Sequence, residues 1–213
     1  MSLLERAWAQ REEVSFPRLF GPLEQGIYTL SPELFATFGV TEIDPRWLHL
    51  GVMLAPPTPV RSSWVYVTSG LSSPWESEEP EELSGVGYEL VFELPVRADW
   101  AIQRLQHLLA FQQLLAVGWY PGKPLLAHGD RVPLRGSLVP GAASKLTFLL
   151  CCEGVEPASG FDLESGHVDL LYLVGVTESE AQFARETRSE ELISLLRAAG
   201  IFPVTLPERD ALV

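Results

Sequence analysis

The chain contains no asparagine and only two lysines, Lys123 and Lys145, among its 213 residues. Adaptation to heat would deplete asparagine but enrich lysine. The joint depletion therefore reads as the coding bias of a GC-rich bacterial genome. Cysteine is also scarce, which excludes a disulfide-stapled secreted scaffold. The two cysteines present, Cys151 and Cys152, are neighbours inside the apolar run LTFLLCCEG. Adjacent strand residues point to opposite faces, so they read as two separate buried thiols, in keeping with a reducing cytoplasm. A vicinal redox pair is the alternative reading. No run approaches the roughly 20 apolar residues of a membrane span. The N-terminal MSLLERAWAQREE turns charged too early for a signal peptide. Cationic side chains are few as well: 15 Lys and Arg face 28 Asp and Glu, for a formal net charge of −13. That field repels phosphate backbones and argues against a nucleic-acid partner. It serves solubility or attracts a basic protein.

Signatures of catalysis are missing too. There is no GxSxG elbow, HExxH helix, paired CxxC or complete GxGxxG. The stretch Gly118 to Lys123 has the wrong spacing for a phosphate-binding loop. Gly85 and Gly87 precede a strand, whereas a dinucleotide site needs them between strand and helix, so they read as a bulge or tight turn. Among the four histidines, His128/Asp130 and His167/Asp169 each place an acid two residues from an imidazole. On a strand that spacing puts both side chains on one face, the arrangement a small hydrolase or metal-dependent enzyme would need. No third ligand is identifiable, and the sequence assigns no cofactor, metal or catalytic residue.

What the chain does have is scaffold. Its hydrophobic content of 46% suits one globular core. A first helix is expected from Leu3 to about Glu13, then irregular chain from Phe16 to Gly26, then a short helix over 32–38 capped by Ser31 with Pro32 at its first position. HLGVMLAP and SWVYVTSG read as strands. SGVGYELVFELP alternates, with Tyr88, Leu90, Phe92 and Leu94 on one face and Glu89, Val91 and Glu93 on the other. That pattern predicts a sheet with one wet or partner-facing side. Asp99 is the expected cap of a helix whose stripe is Ile102, Leu105, Leu108, Leu109, Gln112 and Leu115. LTFLLCCEG and HVDLLYLVGV are near-continuous apolar runs, as in central strands covered on both faces. Thr177 and Glu180 form a capping box for a helix to about Thr187. Ser189 opens a last helix with Leu192, Ile193, Leu195, Leu196 and Ala199 on one side and Gly200 as its stop. The final residues are expected to be loose. The fold class that follows is α+β: a single domain with a central mixed β-sheet flanked by helices. Residues 1–46 form a helical and irregular segment packed on it, 47–207 the domain, and 208–213 a tail.

The segment Glu76-Ser-Glu-Glu-Pro-Glu-Glu82 packs five acids into seven residues between two strands. It reads either as a solvated loop or as a ligand for a basic partner. Calcium would need a more ordered alternation of oxygen ligands. Trp75 stands at its border, where aromatic anchors of interfaces are found.

Together these motifs resemble the Suppressor of fused family. The resemblance rests on Val67-Thr-Ser-Gly-Leu-Ser72, on Ser84-Gly-Val-Gly-Tyr-Glu-Leu90 after the acidic loop, and on the Trp100 to Phe111 helix. Val168 to Thr177 and Glu191 to Arg197 resemble its later strand and closing helix, so the likeness spans Trp47 to Pro207. It implies the fold of the family's N-terminal domain alone and a non-enzymatic protein-binding function. Animal members restrain a zinc-finger transcription factor, gripping a short peptide as an added strand between two domains. Bacterial relatives are proposed as immunity proteins that neutralise toxins. By the same resemblance Trp75 stands where the family has a partner-contacting tyrosine, and Glu81 near its partner-contacting aspartate. The expected partner site is Trp75, Glu78, Glu79, Glu81 and Glu82, for a basic toxin or an added strand, in a cytoplasmic protein.

Overall fold

The structure is a computed structural model and describes residues 2–213. Its strands are β1 (Tyr28–Thr29), β2 (Gly51–Ala55), β3 (Trp64–Ser69), β4 (Leu83–Leu94), β5 (Arg131–Pro133), β6 (Leu146–Glu153), β7 (Gly160–Leu163) and β8 (Gly166–Thr177). They form one mixed sheet in the order β1-β2-β3-β4-β8-β6-β5, with β7 paired to the first residues of β8. Among the described strands only the central β4–β8 pair is parallel. The fold class is as expected: α+β, with helices on both sides of a mixed sheet.

Alternation along the central strands divides the core in two. Tyr88, Leu90, Phe92 and Leu94 of β4 join the stripe of α4 (Asp99–Ala116) on one face. Val91 of β4 and Val65 and Val67 of β3 face the other side. Cys151 belongs to the first core and Cys152 to the second, and both are free and buried. Burial pushes both thiols up, Cys152 to about 12, so neither is a ready nucleophile.

The second face is not wet. It is covered by the N-terminal run α1 (Leu3–Ala9), a π-helical turn (Gln10–Ser15) and α2 (Phe16–Phe20), together with α5 (Glu178–Glu186) and α6 (Ser189–Ala198). The helical run is longer than expected, and Phe16 to Phe20 is helix rather than irregular chain. Pro17 falls where the π turn gives way to α2, and the Phe16 amide before it still bonds back to the Arg11 carbonyl, so the helical run continues through the proline. The wide π turn keeps Ala7, Arg11, Ser15 and Phe16 directed inward. Glu89 and Glu93 are consequently buried rather than exposed. Burial pushes the Glu93 carboxyl up, against a hydrogen bond from Ser63 and the nearby Arg61 guanidinium.

Several local signals hold. Ser31 caps α3 (Pro32–Ala36) by accepting from the Leu34 amide, and the Thr177–Glu180 capping box opens α5. The α4 stripe is buried throughout. Others are displaced. Ala98, not Asp99, is the N-cap of α4, because Asp99 lies in the first turn and pairs with Arg97 at 2.6 Å. Leu195 of α6 and Ala199, its C-cap, are exposed beside buried Leu192, Ile193 and Leu196. The tail is tied down: Arg209 grips Glu180 at 2.6 and 2.7 Å, and the Leu212 amide donates to the same carboxylate. Burial alone would raise the Glu180 carboxyl; Arg209 and two amides outweigh it and hold it below the ordinary range. Thr205 lies where β4 and β8 diverge, bonded to the Glu93 carbonyl and the Gly175 amide.

Candidate functional site

The acidic segment connects β3 to β4 over the N-terminal end of β4, and its base is a buried polar network. After β3 the chain turns at Gly70, and Glu89 from β4 reaches up beneath the turn. The Glu89 carboxyl accepts from the Gly70 and Ser72 amides at 2.9 and 3.0 Å and from the Ser72 and Thr68 hydroxyls at 2.7 and 2.6 Å. Arg11 arrives from the N-terminal helix and donates to the hydroxyls of Ser69, Ser72 and Ser73. Its guanidinium lies 3.9 Å from Glu89, and both side chains are fully buried. A charge taken out of water must be surrounded in this way. The serines of the Thr68–Ser73 segment thus serve as donors and acceptors for two buried charged side chains.

Gly85 completes the turn. Its φ is +58°, and a Cβ there would lie 2.6 Å from the Leu71 and Ser73 carbonyl oxygens. The pairing register of β4 with β8 also shifts between Leu83 and Tyr88, so the two glycines mark a bulge as expected.

Above this base, the loop is held at both flanks. The Glu81 amide donates to the Ser165 carbonyl, and the Glu82 carbonyl accepts from the His167 amide, both at 3.0 Å. The β7–β8 turn therefore supports its far side. On its near side Arg46 bonds Asp44, Glu76 and the Trp75 carbonyl. Trp75 is half-buried, packed edge-on against Trp8 at 5.7 Å with the Arg46 guanidinium over its ring. It is a wedge between loop and N-terminal helix more than a free anchor. Its Nε1 is buried with no acceptor among the described residues.

Among the five acids of the segment, Glu76 pairs with Arg46, and Glu81 accepts from Ser77. Glu78, Glu79 and Glu82 are exposed, and their carboxylates have no ion pair or hydrogen bond among the described residues. The structure thus gathers all five expected partner-site residues on one loop. Sequence reasoning missed the network beneath it. The serine cluster beside a mid-strand glutamate was its only signal.

The His/Asp pairs fare differently. His128 and Asp130 do not meet: His128 Nδ1 accepts from the Glu153 amide, and Asp130 accepts from the Ala127 amide. With Nδ1 accepting, the ring of a neutral His128 carries its proton on Nε2, 3.9 Å from Glu190. The segment is a turn rather than a strand at that point, so the one-face spacing does not apply. His167 does lie between carboxylates, but its first partner is Asp162 of β7 at 2.7 Å, with Asp169 at 3.4 Å. Both carboxylates are largely in solvent, and the imidazole is about half exposed. The Asp162 hydrogen bond holds the His167 imidazole above its usual range. A cavity of about 510 Å³ lies alongside, lined by His128, Glu153 and Asp169 but not by His167. Among the described residues, no three His, Cys, Asp or Glu side chains are grouped to hold a metal ion, and no helix is long and apolar enough to cross a membrane.

Comparison with known proteins agrees with this architecture. No curated protein sequence matches the chain. Among solved structures, a Suppressor of fused homologue from Neisseria gonorrhoeae superposes with a TM-score of 0.66 at 18% identity, covering 97% of each chain. Suppressor of Fused from Drosophila gives 0.57 at 22%, covering 76% of this chain and 42% of its own. A chain of the Sufu–Fu complex gives 0.59 at 25%, covering 84% of this chain and 88% of its own. The family model for Suppressor of fused protein matches residues 46–210, the greater part of the chain, which therefore belongs to the Suppressor of fused family.

Proposed function

We propose that the chain is a non-enzymatic protein-binding module of Suppressor-of-fused type that takes a basic partner at the loop from Trp75 to Glu82. One observation carries this reading: an anionic loop whose base and flanks are fixed but whose tip acids are unspent. Glu78, Glu79 and Glu82 have no cationic partner within the described residues, while the loop's backbone is bonded to the β7–β8 turn. A loop already ordered loses little entropy on binding, and its field speeds the approach of a positive surface. Family membership supports a protein partner, since a relative of similar structure was solved in a complex with Fu. In a bacterial cell the module acts as an immunity protein, its acids covering the basic face of a toxin.

The test is capture from the native cell by immobilised chain, followed by titration of the captured protein at rising salt. Replacing Glu78, Glu79, Glu81 and Glu82 with Gln is expected to weaken binding at least about tenfold and flatten its salt dependence. Unchanged binding removes the loop from the site. Recovery of small-molecule turnover instead of a bound protein overturns the module reading.

A further inference from the structure

A second surface contrasts in charge with the rest of the molecule. A groove of about 1000 Å³ runs along the outer side of α4, between α3 and the loop that follows β5. It shares no lining residue with the acidic loop. Although the chain has 28 Asp and Glu against 15 Lys and Arg, no acid lines this groove, whereas Arg104, Lys123 and Arg135 do. None of these three cations has a carboxylate partner among the described residues. Arg104 donates only to the carbonyls of Ser137 and Leu138, and Lys123 lies 5.4 Å from the Tyr120 ring centre. Arg135 is exposed, and among the described residues it is the one non-glycine held at positive φ, +53°. A conformation of that kind is strained and persists where the surroundings impose it.

The floor is aromatic. Phe38, Phe111 and Tyr120 line it as a connected set, with ring centres 6.0 Å apart for Phe38–Phe111 and 5.5 Å for Phe111–Tyr120. Lining residues on α4 run from Trp100 to Phe111, a helix length of about 16 Å at 1.5 Å per residue. That length matches about five residues of extended chain. Backbone pairing to the neighbouring strand is restricted, because β5 is a three-residue edge strand ending in Pro133.

We propose that this groove docks an extended acidic peptide segment of a partner protein, with apolar or aromatic side chains on the Phe38–Phe111–Tyr120 floor and carboxylates on Arg104, Lys123 and Arg135. Charge complementarity selects the occupant: these are cations left unneutralised by a chain with nearly twice as many acids. A nucleic acid offers anionic groups too, but the overall charge of −13 opposes a long polyanion, whereas a short peptide meets only the local field.

The experiment uses the full chain and three labelled probes followed by fluorescence anisotropy: the peptide EFEEFE, its neutral counterpart QFQQFQ, and oligothymidylate. Saturable binding of EFEEFE is expected, at least about tenfold tighter than QFQQFQ. The double variant Lys123→Gln with Arg135→Gly is expected to weaken EFEEFE at least about tenfold. Both positions are exposed, and glycine suits the positive φ at 135, so thermal unfolding should be unchanged. Replacing the four loop acids Glu78, Glu79, Glu81 and Glu82 with Gln should not weaken this binding, which separates the groove from the acidic loop. Absent binding of EFEEFE, equal binding of QFQQFQ, oligothymidylate bound as well as EFEEFE, or a double variant with unchanged affinity would each overturn the proposal.

Discussion

Glu89 and Glu79 belong to one strand–loop–strand run, yet the molecule uses them in opposite ways. Glu89 lies under the turn with four donors on its carboxyl and Arg11 beside it. Glu79 stands in solvent with no partner among the described residues. The difference lies in what surrounds each side chain. At the base every oxygen is occupied, so the acid fixes the shape of the loop. At the tip the carboxylates of Glu78, Glu79 and Glu82 have no partner among the described residues, so they are available to another molecule. A glutamate-rich sequence is thus divided by burial into a part that folds and a part that binds.

The sharpest way to break this contrast is Glu89→Ala. It orphans two buried amides and leaves Arg11 without its deepest partner, and should cost about 3 to 5 kcal/mol in chemical denaturation. A loss below about 1 kcal/mol would mean that the base is no more structural than the tip. A second buried acid tests whether the rule extends across the fold. Arg209→Met removes the main partner of Glu180 and should cost about 3 kcal/mol near neutral pH. Its pH profile has a definite sign. In the parent the Glu180 carboxyl is depressed, so its contribution is present above the normal carboxylate range and is lost as pH falls through the folded value. In the variant burial dominates, so the deficit should shrink on acidification through the carboxylate range. Stability measured from neutral to acid pH reads both.

A smaller effect is expected from Gly85→Ala, which forces a side chain into positive φ against two carbonyls, for about 2 kcal/mol. The least is expected at the tip. Replacing Glu78, Glu79, Glu81 and Glu82 with Gln should move stability by no more than about 0.5 kcal/mol while binding falls. If that variant unfolds instead, the tip is part of the scaffold and the comparison fails.

Much of this architecture was legible in the sequence. Continuous apolar runs marked β6 and β8 as central, and the α4 stripe and the Thr177 capping box announced themselves by spacing. The alternation of β4 correctly separated its two faces, but polarity misassigned one of them. Glu89 and Glu93 read as wet because their partners, Arg11 and Ser63, are remote in sequence. Only the folded chain brings a helical arginine under a serine-rich turn. The acidic loop could be read directly, since composition alone defines it. The half-burial of Trp75 could not, because Trp8 and Arg46 come from elsewhere. His128 and Asp130 misled for the reverse reason: their spacing assumes a strand, and the chain turns there.

The single parallel seam of the sheet has a consequence for assembly. Each antiparallel neighbour of β4 or β8 comes from its own half of the chain, whereas Phe92 must find Leu173 across everything in between. Contacts that remote form late, after the loops they close have lost most of their freedom. The two halves are therefore expected to take shape as separate units and to meet along β4 and β8 as the last large step. The diverging ends of that seam are where Thr205 bridges the two strands. The stretch around Thr205, which follows both strands in the chain, is thus the one that fastens the halves together.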